Sequence, residues 1–137
     1  MKTFIYSLLL IAFVLSACED EVLIGTDTPI NPERNEATIG AEGGTLSIKT
    51  ETTFWLRYIY EYEDGVEKQS IFNELEGEEE PLHFRKVMTG DWYQVEERGK
   101  EVSFEIAPNE TGKERAIKVE IQSGDAFDRI TVTQSAD

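Results

Sequence analysis

The sequence predicts an all-β domain, a sandwich of two packed sheets, standing behind an N-terminal export segment and a flexible tether. Three observations carry this. From Ala37 onward apolar and polar residues alternate with period two, as in strands buried on one face. No segment long enough for a helix shows apolar residues at three-to-four spacing. Turn sequences rich in Gly, Asn, Asp and Pro interrupt the alternating runs at short intervals, and strands of this kind bury their single apolar faces best against a second sheet.

The chain opens with one cation at Lys2, an uncharged stretch from Phe4 to Val14 and small residues at Ser16 and Ala17. This is a signal-peptide profile, too short for the roughly 20 residues that span a bilayer. Leu15-Ser16-Ala17-Cys18 resembles a bacterial lipobox, which implies removal of residues 1–17 and acylation of Cys18. Two or three acyl chains hold a protein at a membrane essentially permanently. Glu19-Asp20-Glu21 resembles the acidic export tag of Bacteroidetes surface lipoproteins, so the expected location is the outer membrane, exposed at the cell surface. Residues 18–36 contain Gly25, Pro29 and Pro32 with little periodicity and read as a tether. Its 18 residues after the cysteine would reach roughly 60 Å extended, or about 25 Å as a coil.

Residues 37–137 read as one domain. Leu46 and Ile48 alternate after Gly43-Gly44; Val102, Phe104 and Ile106 alternate before Ala107-Pro108-Asn109. Ile117, Val119 and Ile121 precede Ser123-Gly124-Asp125, and Ile130 and Val132 close the set. Between them Asp64-Gly65 marks a two-residue hairpin turn, since both residues tolerate positive φ. Counting outward sets Glu61 against Lys68, Tyr60 against Gln69 and Tyr58 against Ile71. Tyr58, Tyr60 and Tyr62 then share one face with Leu56 beginning their row, and Gln69 joins them. Asn73 to Pro81, with Glu74, Glu76, Glu78, Glu79 and Glu80, reads as a solvated acidic loop, and Leu82 to Met88 as a further strand.

Charge narrows the function. Lys and Arg number 13 against 28 Asp and Glu, a formal net charge of −15, which repels nucleic acid. Cys18 is the only thiol, so no intramolecular disulfide forms and the core must hold by packing. No Gly-x-Ser-x-Gly segment or phosphate loop occurs. His83, the only histidine, lies between Leu82 and Phe84 as an ordinary strand residue, which leaves no multi-histidine zinc site. The acidic loop has the hard oxygens calcium prefers, but lacks the Asp/Asn alternation and glycine of an EF-hand. The expectation is a protein with no catalytic residues, metal or cofactor.

In order along the chain, Gly43-Gly44-Thr45-Leu46-Ser47-Ile48, Trp55, Asp91-Trp92, Asn109, Arg115-Ala116-Ile117 and Ile130-Thr131-Val132-Thr133-Gln134 resemble the BACON domain. The resemblance runs from about Ala37 to Gln134 and implies an immunoglobulin-like sandwich. Family members usually hold the two tryptophans close together, whereas here the Tyr-rich hairpin and acidic loop lie inserted between Trp55 and Trp92. Both indoles are expected to support the core. The function expected is an interaction or display module anchored by Cys18, with carbohydrate or mucin binding as the alternative that the family implies. Tyr58, Tyr60, Tyr62 and Gln69 are the candidate ligand-binding residues.

Overall fold

The computed structural model describes residues 29–137, so the signal segment, Cys18 and Glu19 to Glu21 lie outside the described residues. The eleven strands are β1 (Glu36–Ile39), β2 (Gly44–Lys49), β3 (Trp55–Glu63), β4 (Val66–Phe72), β5 (Leu75–Glu76), β6 (His83–Phe84), β7 (Val87–Thr89), β8 (Tyr93–Glu97), β9 (Glu101–Ile106), β10 (Arg115–Ser123) and β11 (Ala126–Gln134). They form a five-stranded sheet in the order β1-β11-β10-β3-β4 and a four-stranded sheet in the order β2-β9-β8-β7, with β5-β6 as a separate ribbon. Among the described residues no helix is long and apolar enough to cross a membrane.

The period-two alternation resolves into two inner faces. Ile117, Val119 and Ile121 of β10 and Ile130 and Val132 of β11 are fully buried, as are Ile48, Val95, Val102 and Phe104 of the opposing sheet. Their intervening neighbours face outward, so a single apolar layer lies between the sheets. The chain joins this layer earlier than its sequence suggests. Ile30 is 1% exposed and sits in the core, while its carbonyl accepts from the Glu51 amide at 2.9 Å and the Pro29 carbonyl accepts from the Thr52 hydroxyl at 3.2 Å. Residues 29 and 30 therefore belong to the sandwich, although the sequence assigns them to the tether of residues 18–36.

The Tyr-rich hairpin turns at Asp64 and Gly65, with φ of +48° and +78°, as a two-residue turn with both central residues left-handed requires. Glu63 pairs with Val66 and Tyr62 with Glu67, but then the register shifts: Glu61 faces Gln69, Tyr60 faces Ser70, and Tyr58 faces Phe72. Lys68 is the extra residue of a β-bulge, which corrects the expected pairings of Glu61 with Lys68, Tyr60 with Gln69 and Tyr58 with Ile71. A second bulge lies on the other side of β3, where Glu120 pairs with Tyr58 but Ile121 pairs with Leu56, leaving Arg57 over. This bulge reverses the phase of the strand. Leu56 is buried with Ile59 in the core, so it does not begin the tyrosine row.

The segment from Leu82 to Met88 is not one strand. β6 pairs with β5 and β7 with β8, and the break falls at Arg85-Lys86. The cause is Asn73, 1% exposed, whose side-chain amide donates to the carbonyls of Leu56 and Arg85 and accepts from the Arg85 amide. With both backbone groups of Arg85 engaged there, the strand cannot continue through it. The acidic segment is thereby folded back as a short arm: Glu76 pairs with Arg85 at 2.7 Å and lies 3.9 Å from His83.

Antiparallel pairing defines two poles. Glu63 lies beside Arg115, which lies beside Gln134, at one end; Trp55 lies beside Gln122, near the Ser123–Ala126 turn, at the other. Ile30 reaches the core at the second pole, through its bond to Glu51 at the end of the β2 run.

A candidate binding face on the five-stranded sheet

With Ile59 and Glu61 directed inward, Tyr58, Tyr60 and Tyr62 lie together on the outer face of β3. Tyr58 and Tyr60 stack with centroids 5.7 Å apart and planes 22° from parallel, and Tyr58 meets Phe72 of β4 at 4.9 Å. From β10, Lys118 extends its ammonium over Tyr60 and Tyr62 at 5.2 and 5.3 Å. The bulge at Arg57 turns its guanidinium over three rings, Tyr58, Phe72 and Phe127 of β11, at 5.7 to 5.9 Å, where Gln122 accepts from it at 2.7 Å. Each contact of this kind contributes about 0.5–1 kcal/mol at an exposed site, enough to hold the cations over the rings.

Polar groups complete the face. The Tyr60 hydroxyl donates to Glu120 over a long 3.5 Å, and Glu120 lies 4.0 Å from Arg129. Burial, then the Glu120 carboxylate, raise the Tyr60 hydroxyl above its ordinary pKa, so it remains a protonated donor at physiological pH. Two shallow depressions flank Lys118, one of about 540 Å³ toward Phe127 and Arg129 and one of about 360 Å³ toward Tyr62 and Thr133. Phe72 and Phe127 are 45% and 53% exposed, so this is an uncovered aromatic surface.

The outer face of the four-stranded sheet is a natural contrast. It carries Thr45, Ser47, Gln94, Glu96, Arg98, Ser103 and Glu105, with no aromatic ring. One face of the sandwich is an ordinary solvated sheet; the other is built of rings and cations.

Of the four candidate ligand residues, the structure brings Tyr58, Tyr60 and Tyr62 together and separates Gln69 from them. The Lys68 bulge puts Gln69 opposite Glu61, and its amide donates to that carboxylate on the inner side of the sheet. Arg57, Phe72, Lys118 and Phe127 were not legible as site residues. Phe72, Lys118 and Phe127 stand at positions that alternation assigns to outer faces, whereas Arg57 reaches this face only through its bulge, and the pairings of β3 with β4 and β10 and of β10 with β11 assemble them.

The residues that carried the family resemblance build a polar knot at the Glu63 pole. The Arg115 guanidinium donates to Gln134 at 2.8 Å and to the carbonyls of Ala107 and Pro108, and covers the Trp92 ring at 4.2 Å. Gln134, fully buried, donates to Ala107 at 2.9 Å and to Gly40 and Ala41. Asn109 donates to Lys113 and Ser135 and accepts from Thr111. Gly43, at φ +74°, backs onto the same loop, where a Cβ would collide with the Ile106 carbonyl. Trp92 packs on the core from its margin, as expected. Trp55 instead stacks on Phe84, 5.6 Å away and 4° from parallel, and so holds the inserted arm to the sandwich. Arg115, Gln134, Asn109 and Trp92 of this signature are spent on the scaffold, and Trp55 on the arm.

Comparison with known proteins agrees with this architecture. Residues 76–135 match the BACON family, described as "Putative binding domain, N-terminal". An NMR structure of a protein from Bacteroides thetaiotaomicron is similar to this chain at 25% identity, with a TM-score of 0.59, over 84% of this chain and 93% of that one. No curated protein matches.

Proposed function

We propose, from the match of residues 76–135 to the BACON binding family, that this protein is a non-catalytic binding module held at a membrane by lipid on Cys18. Its contact surface is the outer face of the five-stranded sheet. The observation that carries this reading is the asymmetry of the two outer faces: five aromatic rings under Arg57 and Lys118 on one, polar and charged side chains on the other. A solvated sheet has no need of Phe72 and Phe127, whereas aromatic and arginine side chains are enriched where proteins meet partners. The flatness of the face fits a macromolecular partner at the cell surface. Carbohydrate is the second reading, favoured by ring surface lying beside the hydroxyl, amide and charged groups of Tyr60, Gln122, Glu120 and Arg129.

Tyr60→Ala combined with Tyr62→Ala should leave the fold intact, because neither ring belongs to the core. A photo-crosslinking residue at Phe72 should capture the partner on whole cells, while one at Gln94 on the opposite face should not. Equal capture from both positions would remove the tyrosine face as the contact surface. On a glycan array, any sugar bound by the parent should lose at least tenfold in affinity with the double variant, about 1.4 kcal/mol.

Anchoring has its own test. Cys18→Ser should abolish acylation and release the protein from the detergent-soluble membrane fraction, and unchanged mass with equal retention would refute the lipid anchor. Protease applied to intact cells should remove the domain if Glu19 to Glu21 act as an export tag.

A further inference from the structure

Among the described residues one buried side-chain polar atom has no hydrogen-bond partner, the indole Nε1–H of Trp55. A buried donor without an acceptor is a cost to the fold, and native structures keep few of them. Its position points to a use. Leu56 is directed into the core, so Trp55 before it is directed outward, and its neighbour across the strands, Gln122, is the residue that accepts from Arg57 on the outer face. Trp55 is therefore a sixth ring of the tyrosine face, lying beyond Arg57. Unlike Phe72 and Phe127, it is covered.

The cover is the β5-β6 arm. Phe84 lies flat on the indole, 5.6 Å away and 4° from parallel, and a phenyl ring brings no acceptor for the N–H. Little else holds the arm down. The contacts of Glu76 with Arg85 and His83 and the bond from the Leu82 amide to Glu80 run within the arm, and Leu75 and Leu82 are exposed. Asn73 fixes its base through Leu56 and Arg85. A ribbon held at its base and by one ring is the kind of segment that opens locally while the rest of the domain stays folded.

We propose that the arm is a displaceable cap and that a partner polypeptide takes its place: an aromatic side chain of the partner replaces Phe84 on the Trp55 ring, and a carbonyl beside it accepts from Nε1–H. This rests on the outer face of the five-stranded sheet being the contact surface, which Trp55 extends. The occupant follows from the stack itself. A flat ring is what already fits the indole, and a ring that arrives with an acceptor keeps the stacking and also satisfies the donor. Because the closed arm competes with the partner, the apparent affinity is reduced by the fraction of molecules in which the arm is open.

The test is an NMR titration of the purified full chain in detergent micelles, observing the indole N–H signals of Trp55 and Trp92. The probes are a capped Gly-Tyr-Gly peptide, a capped Gly-Leu-Gly peptide and methyl β-galactoside. The Trp55 signal should move downfield with the tyrosine peptide, as an N–H does on gaining an acceptor, and should not move with the leucine peptide. Trp92, at the opposite pole, should stay still. Phe84→Ala should strengthen binding severalfold by removing the competitor, and Trp55→Phe, which keeps a ring but removes the donor, should weaken it. Phe84 lies on the arm, so its variant tests the proposal even where Trp55→Phe does not fold. No movement of Trp55 with the tyrosine peptide up to about 20 mM, or unchanged binding by Phe84→Ala, would overturn the proposal. A response to the galactoside and not to the peptide would overturn a polypeptide as the occupant. Crosslinking on whole cells separates the cap from the face: Phe84→Ala should raise capture at Phe72. Capture at Phe72 that ignores this substitution sinks the cap and leaves the face standing, whereas equal capture at Phe72 and Gln94 removes the face and the cap with it.

Discussion

Gln134→Leu is expected to lower the stability of the domain by about 3 to 5 kcal/mol, although leucine is of similar length and introduces no charge. The loss comes from what stays behind. Arg115 keeps its buried Nε–H without the acceptor it had at 2.8 Å, and the Ala107, Gly40 and Ala41 carbonyls lose a shared donor. Each buried polar group left unpaired costs about 1–3 kcal/mol. A domain of this size has roughly 5–15 kcal/mol in all, so the urea midpoint followed by tryptophan fluorescence should fall steeply. Adding Arg115→Met removes the stranded guanidinium, so the double variant should be less destabilised than the two single effects together. A Gln134→Leu unfolding free energy within about 1 kcal/mol of the parent would show that the knot is dispensable.

The second large effect is expected at Asn73. Asn73→Ala removes three hydrogen bonds, to Leu56 and to both backbone groups of Arg85, at a cost of about 2–3 kcal/mol. The effect should also be local. The β5-β6 ribbon contacts the sandwich through Trp55 on Phe84, and Asn73 clamps its base. Hydrogen exchange should therefore accelerate across residues 74–86, while the amides of β10 and β11 follow only the global change. Uniform acceleration across the chain would mean that the arm does not open as a unit.

Alternation made most of the sandwich legible, because Val102-Phe104-Ile106 and Ile117-Val119-Ile121 each bury one face and period two is a local property. Asp64-Gly65 was legible for the same reason: its turn is decided by two residues. What escaped depends on one residue more or less. The bulges at Lys68 and Arg57 carry no compositional mark, yet one moved Gln69 away from the tyrosines and the other turned Leu56 into the core. Ile30 was hidden because a single apolar residue among prolines has no period to read. Asn73 resembled any turn-prone asparagine until its three partners were in place. The aromatic face was half legible: the tyrosine row lies within one strand, but Phe127 and Lys118 reach it only through pairings across more than 50 positions of sequence, about which local pattern is silent.

The way the chain meets the sandwich has a consequence for reach. Ile30 enters the core at the Trp55 pole, and the nine residues of β3 carry the fold from there to Glu63. At about 3.3 Å per residue the opposite pole stands roughly 25–30 Å away. If, as proposed, lipid on Cys18 holds the domain at a membrane, the hairpin tip stands at its free end and the tyrosine face runs up its side. Partners approaching head-on would then meet the hairpin tip first, whereas neighbours diffusing in the same membrane plane would meet the flank of rings.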